Sequence, residues 1–315
     1  MVKVAFVFPG QGSQAVGMCK DLYDNYPVAR RIFEEADAAL GFSMTDLIMQ
    51  GPEEALRLTE NTQPAILTAS VACFEVLKEK GLTCDMAGGH SLGEYSALVA
   101  AGALSFADAV RTVKSRGKFM QEAVPVGEGA MAAILGLTPE QIDSICQETE
   151  KACGEAVQAV NFNCPGQVVI AGASAAVDKA IEALKAAGAK RAIPLNVSAP
   201  FHSTLMTPAA KRLAEVLEQV SFHDAAFPVV ANVTAKPETK ADEIKQLLVK
   251  QADHPVRWEA SVHTMLDASM DAFVEVGPGK VLSGFTKKID RSKTTLNVEN
   301  IESLEKTLAY FKEVR

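Results

Sequence analysis

A serine flanked by glycines is the strongest chemical signal in this chain. Gly89-His90-Ser91-Leu92-Gly93 reads Gly-x-Ser-x-Gly, between residues 85–88, which are typical of a strand end, and residues 94–101, which are typical of a helix. This context predicts a nucleophile elbow, in which a sharp turn presents the serine. The glycines let strand and helix approach closely, and the helix N-terminus directs free N–H groups toward an oxyanion beside Ser91. The alternative is a serine at an ordinary glycine-rich turn.

A serine nucleophile needs a base within hydrogen-bond reach. The candidates are the five histidines of the chain, His90, His202, His223, His254 and His263. We favour His202, because it lies in a loop fixed by Pro200, and positioned loops often carry functional residues. His90 is expected to pack under the elbow, and the other three suit the surface. No acidic residue stands out near a predicted strand end upstream of His202, so an uncharged group is expected to orient it, which weakens a plain esterase interpretation.

A second glycine-rich turn, Pro9-Gly10-Gln11-Gly12-Ser13-Gln14, follows the first predicted strand, residues 2–8. A dinucleotide-binding turn would need a third glycine where Ala15 stands, and a P-loop would need Lys-Ser or Lys-Thr. Backbone N–H groups facing an oxyanion are the better functional prediction, with a plain turn as the alternative.

Composition excludes several classes of protein. The 315 residues carry a net charge of −8 without any basic tract, which argues against a nucleic-acid partner. The six cysteines form no Cys-x-x-Cys pair, so neither a zinc site nor a redox motif is indicated, and free thiols in a reducing cytoplasm are expected. Residues 156–177 are uncharged, but Pro165-Gly166 interrupts them, which favours strand, turn and strand over a membrane span.

The elements that must position these residues alternate between strand and helix, as in an open α/β sheet. We predict an α/β hydrolase-like large domain with a mostly parallel sheet, formed by residues 1–124 and 198–315. Residues 125–197 read β-α-β-β-α-β, the order of a ferredoxin-like unit, and are predicted to be an inserted small domain.

Several motifs together indicate a family. They are Phe8-Pro9-Gly10-Gln11-Gly12-Ser13-Gln14, Gly89-His90-Ser91-Leu92-Gly93-Glu94, Arg116-Gly117, Phe201-His202 and Glu275-Val276-Gly277-Pro278, in this order. Over nearly its whole length the chain resembles the malonyl-CoA:acyl carrier protein transacylases of bacterial type II fatty acid synthesis. It is similar also to the acyltransferase domains of polyketide synthases.

The resemblance implies a role for individual residues. Ser91 would be the acylated nucleophile and His202 the base, oriented by Gln251 through its backbone carbonyl. The backbone N–H groups of Gln11 and Leu92 would form the oxyanion hole.

The resemblance also implies how the substrate is held. Arg116 would bind the free malonyl carboxylate, which a planar guanidinium can grip through two hydrogen bonds; an exposed helix-surface arginine is the alternative. Phe201 before the base would favour malonyl over bulkier methylmalonyl groups. Asn161, Asn163 and Gln167 would either face the substrate or satisfy a turn.

The implied reaction moves malonyl from malonyl-CoA to the phosphopantetheine thiol of acyl carrier protein through Ser91, without a metal or cofactor. An acidic carrier would need a local basic patch. The candidates, each with an ordinary solvated charge as its alternative, are Lys190, Arg191, Lys287 and Lys288. We expect a cytoplasmic monomer. The rival functions are a trans-acting polyketide acyltransferase, a serine esterase or thioesterase, and a non-catalytic binding module.

Overall fold

Two β-sheets and the helices around them form the structure, a computed structural model that describes residues 2–197 and 199–314. The strands are β1 (Val4–Phe8), β2 (Met86–Gly89), β3 (Gly129–Leu135), β4 (Val157–Cys164), β5 (Gln167–Ala173), β6 (Arg191–Pro194), β7 (Val229–Val230), β8 (Pro237–Glu238), β9 (Ala272–Val276) and β10 (Thr294–Val298). The helices are α1 (Lys20–Asn25), α2 (Pro27–Leu40), α3 (Met44–Gln50), α4 (Glu53–Arg57), α5 (Thr59–Glu79), α6 (Leu92–Ala100), α7 (Phe106–Glu122), α8 (Pro139–Cys153), α9 (Ser174–Ala186), α10 (Thr207–Leu217), α11 (Ala241–Gln251), α12 (Trp258–Asp267), α13 (Val281–Ile289) and α14 (Ile301–Val314).

The larger sheet has six strands in the order β10-β9-β1-β2-β7-β8, and only the β7–β8 pair is antiparallel. Every residue of β1 is buried. A fully apolar central strand is expected where helices cover both faces of a parallel sheet. The mostly parallel α/β architecture predicted from the sequence is therefore confirmed.

The smaller sheet is antiparallel, with the strand order β4-β5-β3-β6. Helices α8 and α9 pack on it around a separate apolar cluster that includes Ile134, Ile142 and Ile170. The side chain of Thr138 caps α8, and Gln141 closes the predicted capping box. The observed elements follow the predicted β-α-β-β-α-β order, while the exact division into two domains stays a prediction.

The two sheets are joined by backbone hydrogen bonds as well as by the chain itself. Phe162 N donates to Val256 O at 2.9 Å, and Val256 N donates to Val160 O at 2.8 Å. The segment before α12 thus pairs with β4, and the smaller sheet is fixed over the carboxyl ends of β1 and β2.

Some element boundaries differ from the sequence predictions. The sequence pattern predicts strands at residues 227–232, 191–197 and 156–161. The first is only Val229–Val230, because the chain turns back at Ala231, whose N–H bonds to Lys236 O. The second ends at Pro194, and the third, β4, runs on to Cys164. Ser198, where the second part of the large domain was predicted to begin, lies outside the described residues, as do the chain ends Met1 and Arg315.

Within residues 2–197 and 199–314, no helix combines the length and apolarity needed to cross a membrane.

Candidate active site

Ser91 occupies a strained turn between β2 and α6. Its φ of 52° and ψ of −108° are unusual for a residue with a side chain, as expected of a nucleophile elbow. A Cβ added to Gly93 would lie 2.1 Å from Phe8 O, and one added to Gly89 would lie 1.9 Å from Gly93 C. Both glycines are required because backbone meets backbone where the helix crosses the strands.

Ser91 and His202 are 111 residues apart in sequence, yet Ser91 Oγ lies 2.7 Å from His202 Nε2. On the other side of the ring, His202 Nδ1 lies 2.8 Å from the backbone oxygen of Gln251. A carbonyl can only accept, so Nδ1 holds the proton and the lone pair of Nε2 faces the serine. The uncharged orienting group expected from the sequence is thus found at Gln251, where serine proteases place an aspartate.

The environment of His202 favours the neutral imidazole. The side chain is buried, and burial, followed by the positive charge of Arg116, lowers the pKa of His202 to about 3. The ring is therefore ready to accept the proton of Ser91 at neutral pH.

Arg116, on α7, points into the site and is only 1% exposed, so the surface alternative is wrong. Its Nη1 donates to Gln63 Oε1 at 2.8 Å, while Nη2 donates to Gln251 Oε1 at 3.0 Å and to Ser91 Oγ at 3.2 Å. Burial lowers the pKa of Arg116, but a guanidinium stays charged in proteins. A fixed cation next to the serine suits an acyl group that carries a carboxylate.

The two predicted oxyanion donors, Gln11 and Leu92, line the same cavity as Ser91. Leu92 opens α6, and Gln11 belongs to the loop after β1, which touches the elbow at Gly10 and His90. Among the described residues, neither the N–H of Leu92 nor that of Gln11 has an acceptor within the chain. Both are therefore available to a ligand oxygen.

Three buried polar side chains of the site were not predicted from the sequence: Gln63, Glu94 and Asn232. Asn232 Oδ1 accepts the N–H of Ser91 at 2.7 Å, and its Nδ2 donates to Gly89 O at 2.7 Å, so one amide holds both sides of the elbow. Glu94 Oε2 accepts from Asn232 N at 2.9 Å and from Gln251 Nε2 at 2.8 Å. In the sequence, the only indication of a role for Glu94 is that it is a charged residue on an otherwise apolar helix after the elbow.

A cleft between the two sheets leads to Ser91. Next to the serine it contains a cavity of about 90 Å³, whose walls include Phe201, Met120 and Met131. A second cavity of about 220 Å³ continues from it between the loop after β1, α13 and the smaller sheet. Asn161, Asn163 and Gln167 line this second cavity, so they face a possible substrate path from the strands β4 and β5.

His90 was expected to pack under the elbow, but it does not. It is half-buried, lines both cavities, and its Nε2 lies 2.8 Å from Asn163 Oδ1. The hydrogen bond to Asn163 on β4 holds its ring toward the smaller sheet. His223, His254 and His263 are exposed, in agreement with their predicted surface positions.

All six cysteines are free. In the part of the chain that the structure describes, no three His, Cys, Asp or Glu side chains are grouped so that they could hold a metal ion.

The parallel α/β sheet, the elbow and the Ser91–His202 pair place the chain in the broad class of α/β enzymes that use a serine nucleophile. Residues 5–306 match the family model described as "Acyl transferase domain". The chain therefore belongs to the acyl transferase family, as its motifs predicted.

Similar proteins cover almost its whole length. The chain is 52% identical to a malonyl CoA-acyl carrier protein transacylase of Bacillus subtilis (strain 168), over 99% of this chain and 98% of the relative. It is 54% identical to the protein of that name from Escherichia coli (strain K12), over 92% and 93%. A solved malonyl-transacylase in complex with its type II PKS acyl-carrier protein superposes with a TM-score of 0.95 at 50% identity, over 98% of this chain and 99% of that chain.

Proposed function

We propose that the protein transfers a malonyl group from malonyl-CoA to the phosphopantetheine thiol of acyl carrier protein. The observation that carries this proposal is the buried Arg116 guanidinium 3.2 Å from Ser91 Oγ, which itself lies 2.7 Å from His202 Nε2. A nucleophile with a base on one side and a fixed cation on the other fits a thioester whose acyl group ends in a carboxylate. The names of the two relatives support the same donor and acceptor.

In the first half-reaction, Ser91 Oγ attacks the thioester carbonyl while His202 Nε2 takes its proton. The carbonyl oxygen becomes an oxyanion, which the N–H groups of Gln11 and Leu92 stabilise. The C–S bond then breaks, and His202 returns the proton to the thiolate of coenzyme A. Arg116, held in place by Gln63 and Gln251, offers its remaining N–H groups to the malonyl carboxylate, so it selects the acyl group.

In the second half-reaction, the carrier thiol gives its proton to His202 and attacks the malonyl-serine ester. The C–O bond of the ester breaks, and Ser91 recovers the proton. Ping-pong kinetics follow from this scheme. No step needs a metal or cofactor.

The acyl carrier protein would dock at the mouth of the second cavity. Lys288 on α13 reaches Gln167 Oε1 at 3.4 Å, and Gln167 lines that cavity. The other predicted members of the basic patch, Lys190, Arg191 and Lys287, are exposed. An acidic carrier would be attracted to this edge in spite of the net charge of −8. We also propose that the protein acts in the cytoplasm as a monomer.

The pathway has two candidates. Fatty acid synthesis is favoured by the resemblance to bacterial transacylases, and the similarity to a transacylase bound to a type II PKS carrier favours polyketide synthesis as the second candidate. The chemistry at Ser91 is the same in both, and only the carrier differs.

The test is the intact mass of the protein after brief exposure to malonyl-CoA, with the variants Ser91→Ala and Arg116→Ala and the donors acetyl-CoA and methylmalonyl-CoA beside it. We expect a malonyl adduct that requires Ser91, falls steeply without Arg116 and moves to added holo carrier protein. An adduct that disappears as free malonate at the same rate with and without the carrier would instead indicate a thioesterase. If no adduct forms, the result would indicate a non-catalytic binding module.

A further inference from the structure

A buried carboxylate, Glu94, occupies the centre of the polar network behind Ser91, three residues further along α6. The side chain is 3% exposed. Its Oε2 accepts two hydrogen bonds, from Asn232 N and from the side-chain amide of Gln251. The mechanism described above gives this residue no part.

The amide of Gln251 has two different ends, and Glu94 is one of three groups, with Ser91 O and Arg116, that fix which way it points. A carboxylate accepts hydrogen bonds, so the NH₂ end must face Glu94, and the same Nε2 also donates to Ser91 O at 2.9 Å. The oxygen end therefore faces Arg116, where it accepts from Nη2 at 3.0 Å. The reversed amide would place donor against donor at the guanidinium.

The orientation of Arg116 depends in turn on that amide oxygen. Its two terminal nitrogens are held by the amide oxygens of Gln63 and Gln251, at 2.8 and 3.0 Å. A guanidinium binds a carboxylate well only when its plane is correctly set, since the two parallel bonds have a fixed geometry.

We propose that Glu94 is a positioning residue that acts through Gln251 on Arg116 and thereby sets the preference for a carboxylate-bearing acyl group. This inference rests on the proposed function. Glu94 would act on the selection of the acyl group, through the side-chain amide of Gln251. The attack by Ser91 depends instead on His202, which is oriented by the backbone carbonyl of Gln251.

The charge of Glu94 is also placed to respond to pH. Burial raises its pKa to about 7, against the effect of the Asn232 N–H, the Gln251 amide and Arg116. The titratable groups that face it are Arg116 on α7, Tyr95 on α6 and Glu238 on β8, while His202 is reached only through Gln251. A protonated Glu94 has lost its negative charge, so it holds the NH₂ group of Gln251 less strongly.

The experiment compares kcat/KM for malonyl-CoA with kcat/KM for acetyl-CoA, as a ratio, in Glu94→Gln, Arg116→Ala and the double variant. We expect Glu94→Gln to lower the ratio at least about tenfold, the effect of weakening one charged hydrogen bond. In the Arg116→Ala background the same change should leave the ratio unaltered, because Glu94 acts through the arginine. If Glu94 had a merely structural role, Glu94→Gln would instead lower kcat/KM equally for both substrates, with and without Arg116.

The control is Glu275→Gln, which removes another buried carboxylate whose pKa is raised to about 7 by burial. Glu275 accepts from the backbone N–H groups of Leu282 and Ser283 at the start of α13, so its replacement should lower the melting temperature at pH 5.0 and leave the ratio unchanged.

The unmodified enzyme provides a second test that does not require a folded variant. The ratio of kcat/KM for malonyl-CoA to kcat/KM for acetyl-CoA should fall as pH is lowered through about 7, because Glu94 becomes protonated. Effects of pH on coenzyme A and on His202 cancel in this ratio, since they act on both substrates alike. A ratio independent of pH, together with an unchanged ratio in Glu94→Gln, would overturn the role of Glu94. An unchanged ratio in Arg116→Ala would instead contradict the proposed function itself.

Discussion

At the scale of single residues, the site is controlled by which groups hold protons. His202 is buried beside Arg116, and its pKa of about 3 keeps the imidazole neutral. An unfolded chain would protonate this histidine near its ordinary pKa of about 6.5. Between pH 6.5 and 3 the unfolded state therefore binds more protons, and His202 lowers the stability of the folded state as the pH falls through this range.

The same pKa predicts an unusual activity profile. Acylation of Ser91 by p-nitrophenyl acetate, which carries no carboxylate for Arg116, should change less than about twofold between pH 8 and pH 5, because a base with a pKa near 3 is already deprotonated there. The measurement is the burst of nitrophenol at several pH values. A rate that drops with an apparent pKa of 6 to 7 would show that His202 titrates like an exposed histidine.

Asn232 is the residue whose loss should damage the elbow most directly. Asn232→Ala leaves the N–H of Ser91 and the carbonyl of Gly89 without their partner, at a cost of about 1–3 kcal/mol for each buried group. We expect a loss of about 2–5 kcal/mol in the free energy of unfolding in urea and slower acylation of Ser91.

A suitable control is Asn297→Ala, since Asn297 is half-buried on β10 and its amide donates to Glu299 Oε1 at 3.3 Å, far from the elbow in sequence. Its effect on acylation should be absent. Equal losses of acylation in both variants would contradict the role given to Asn232.

The sequence identified the residues whose roles are visible locally and left out those whose roles depend on folding. Ser91 is recognisable because its neighbours encode the turn, and His202 because Pro200 fixes its loop. Asn232 lies 141 residues from Ser91, and nothing around it in the sequence points to an elbow. Glu94 and Gln63 acquire their partners only when α5, α6, α7 and α11 pack together, so their roles became visible only in the structure.

At the scale of elements, the close crossing of β1 and α6 depends on a glycine at the elbow. A Cβ added to Gly93 would lie 2.1 Å from Phe8 O. Gly93→Ala must push helix and strand apart, because the clash is between a Cβ and backbone atoms. We expect a loss of at least about 2 kcal/mol, the range of overpacked cores, and a large loss of acylation, measured by urea unfolding and intact mass.

Gly284→Ala provides the matched control for that substitution. Gly284 also lies in a helix, α13, and a Cβ added there meets nothing within 4 Å. Alanine is the better helix former by up to about 1 kcal/mol, so this variant should be as stable as the parent or more so, with normal acylation. Destabilisation of similar size in both variants would show that the contact at Phe8 is not the cause.

The long elements were predictable from the sequence and the short ones were not. Helices α2, α11 and α12 and strands β5, β9 and β10 have the predicted boundaries, because each contains enough residues to show its own hydrophobic period. Strands β7 and β8 have two residues each, and their pairing depends on the turn at Ala231. Helices α1 and α3 are also short and were not predicted, since a helix of six or seven residues depends mainly on tertiary packing.

At the scale of the whole molecule, buried carboxylates should make stability depend on pH. Burial raises the pKa of Glu275 from an ordinary value of 4.5 to about 7. Between these values the folded state binds more protons than the unfolded state, so the contribution of Glu275 to stability falls as pH rises and is lowest above pH 7. The full change is about 3 kcal/mol, from 1.36 kcal/mol per pKa unit.

The measurement for this effect is urea unfolding of the parent and of Glu275→Gln at pH 5.0 and 7.5. The variant should be less stable than the parent at pH 5.0, and this difference should shrink or reverse at pH 7.5, where the parent carries a buried charge. A difference that is the same at both pH values would mean that Glu275 does not titrate in this range.

The pairing of Val256 with β4 limits which segments can be exchanged between related proteins. In the sequence, residues 125–197 form one continuous segment that could be exchanged as a unit. The N–H of Phe162 and the carbonyl of Val160, however, both pair with Val256, which lies 94 and 96 residues further along the chain (256 − 162 and 256 − 160). A chimaera that takes this segment from one relative and the rest from another should therefore work best when residues 255–257 come from the same parent, since the true module boundary includes a piece that is not contiguous with it.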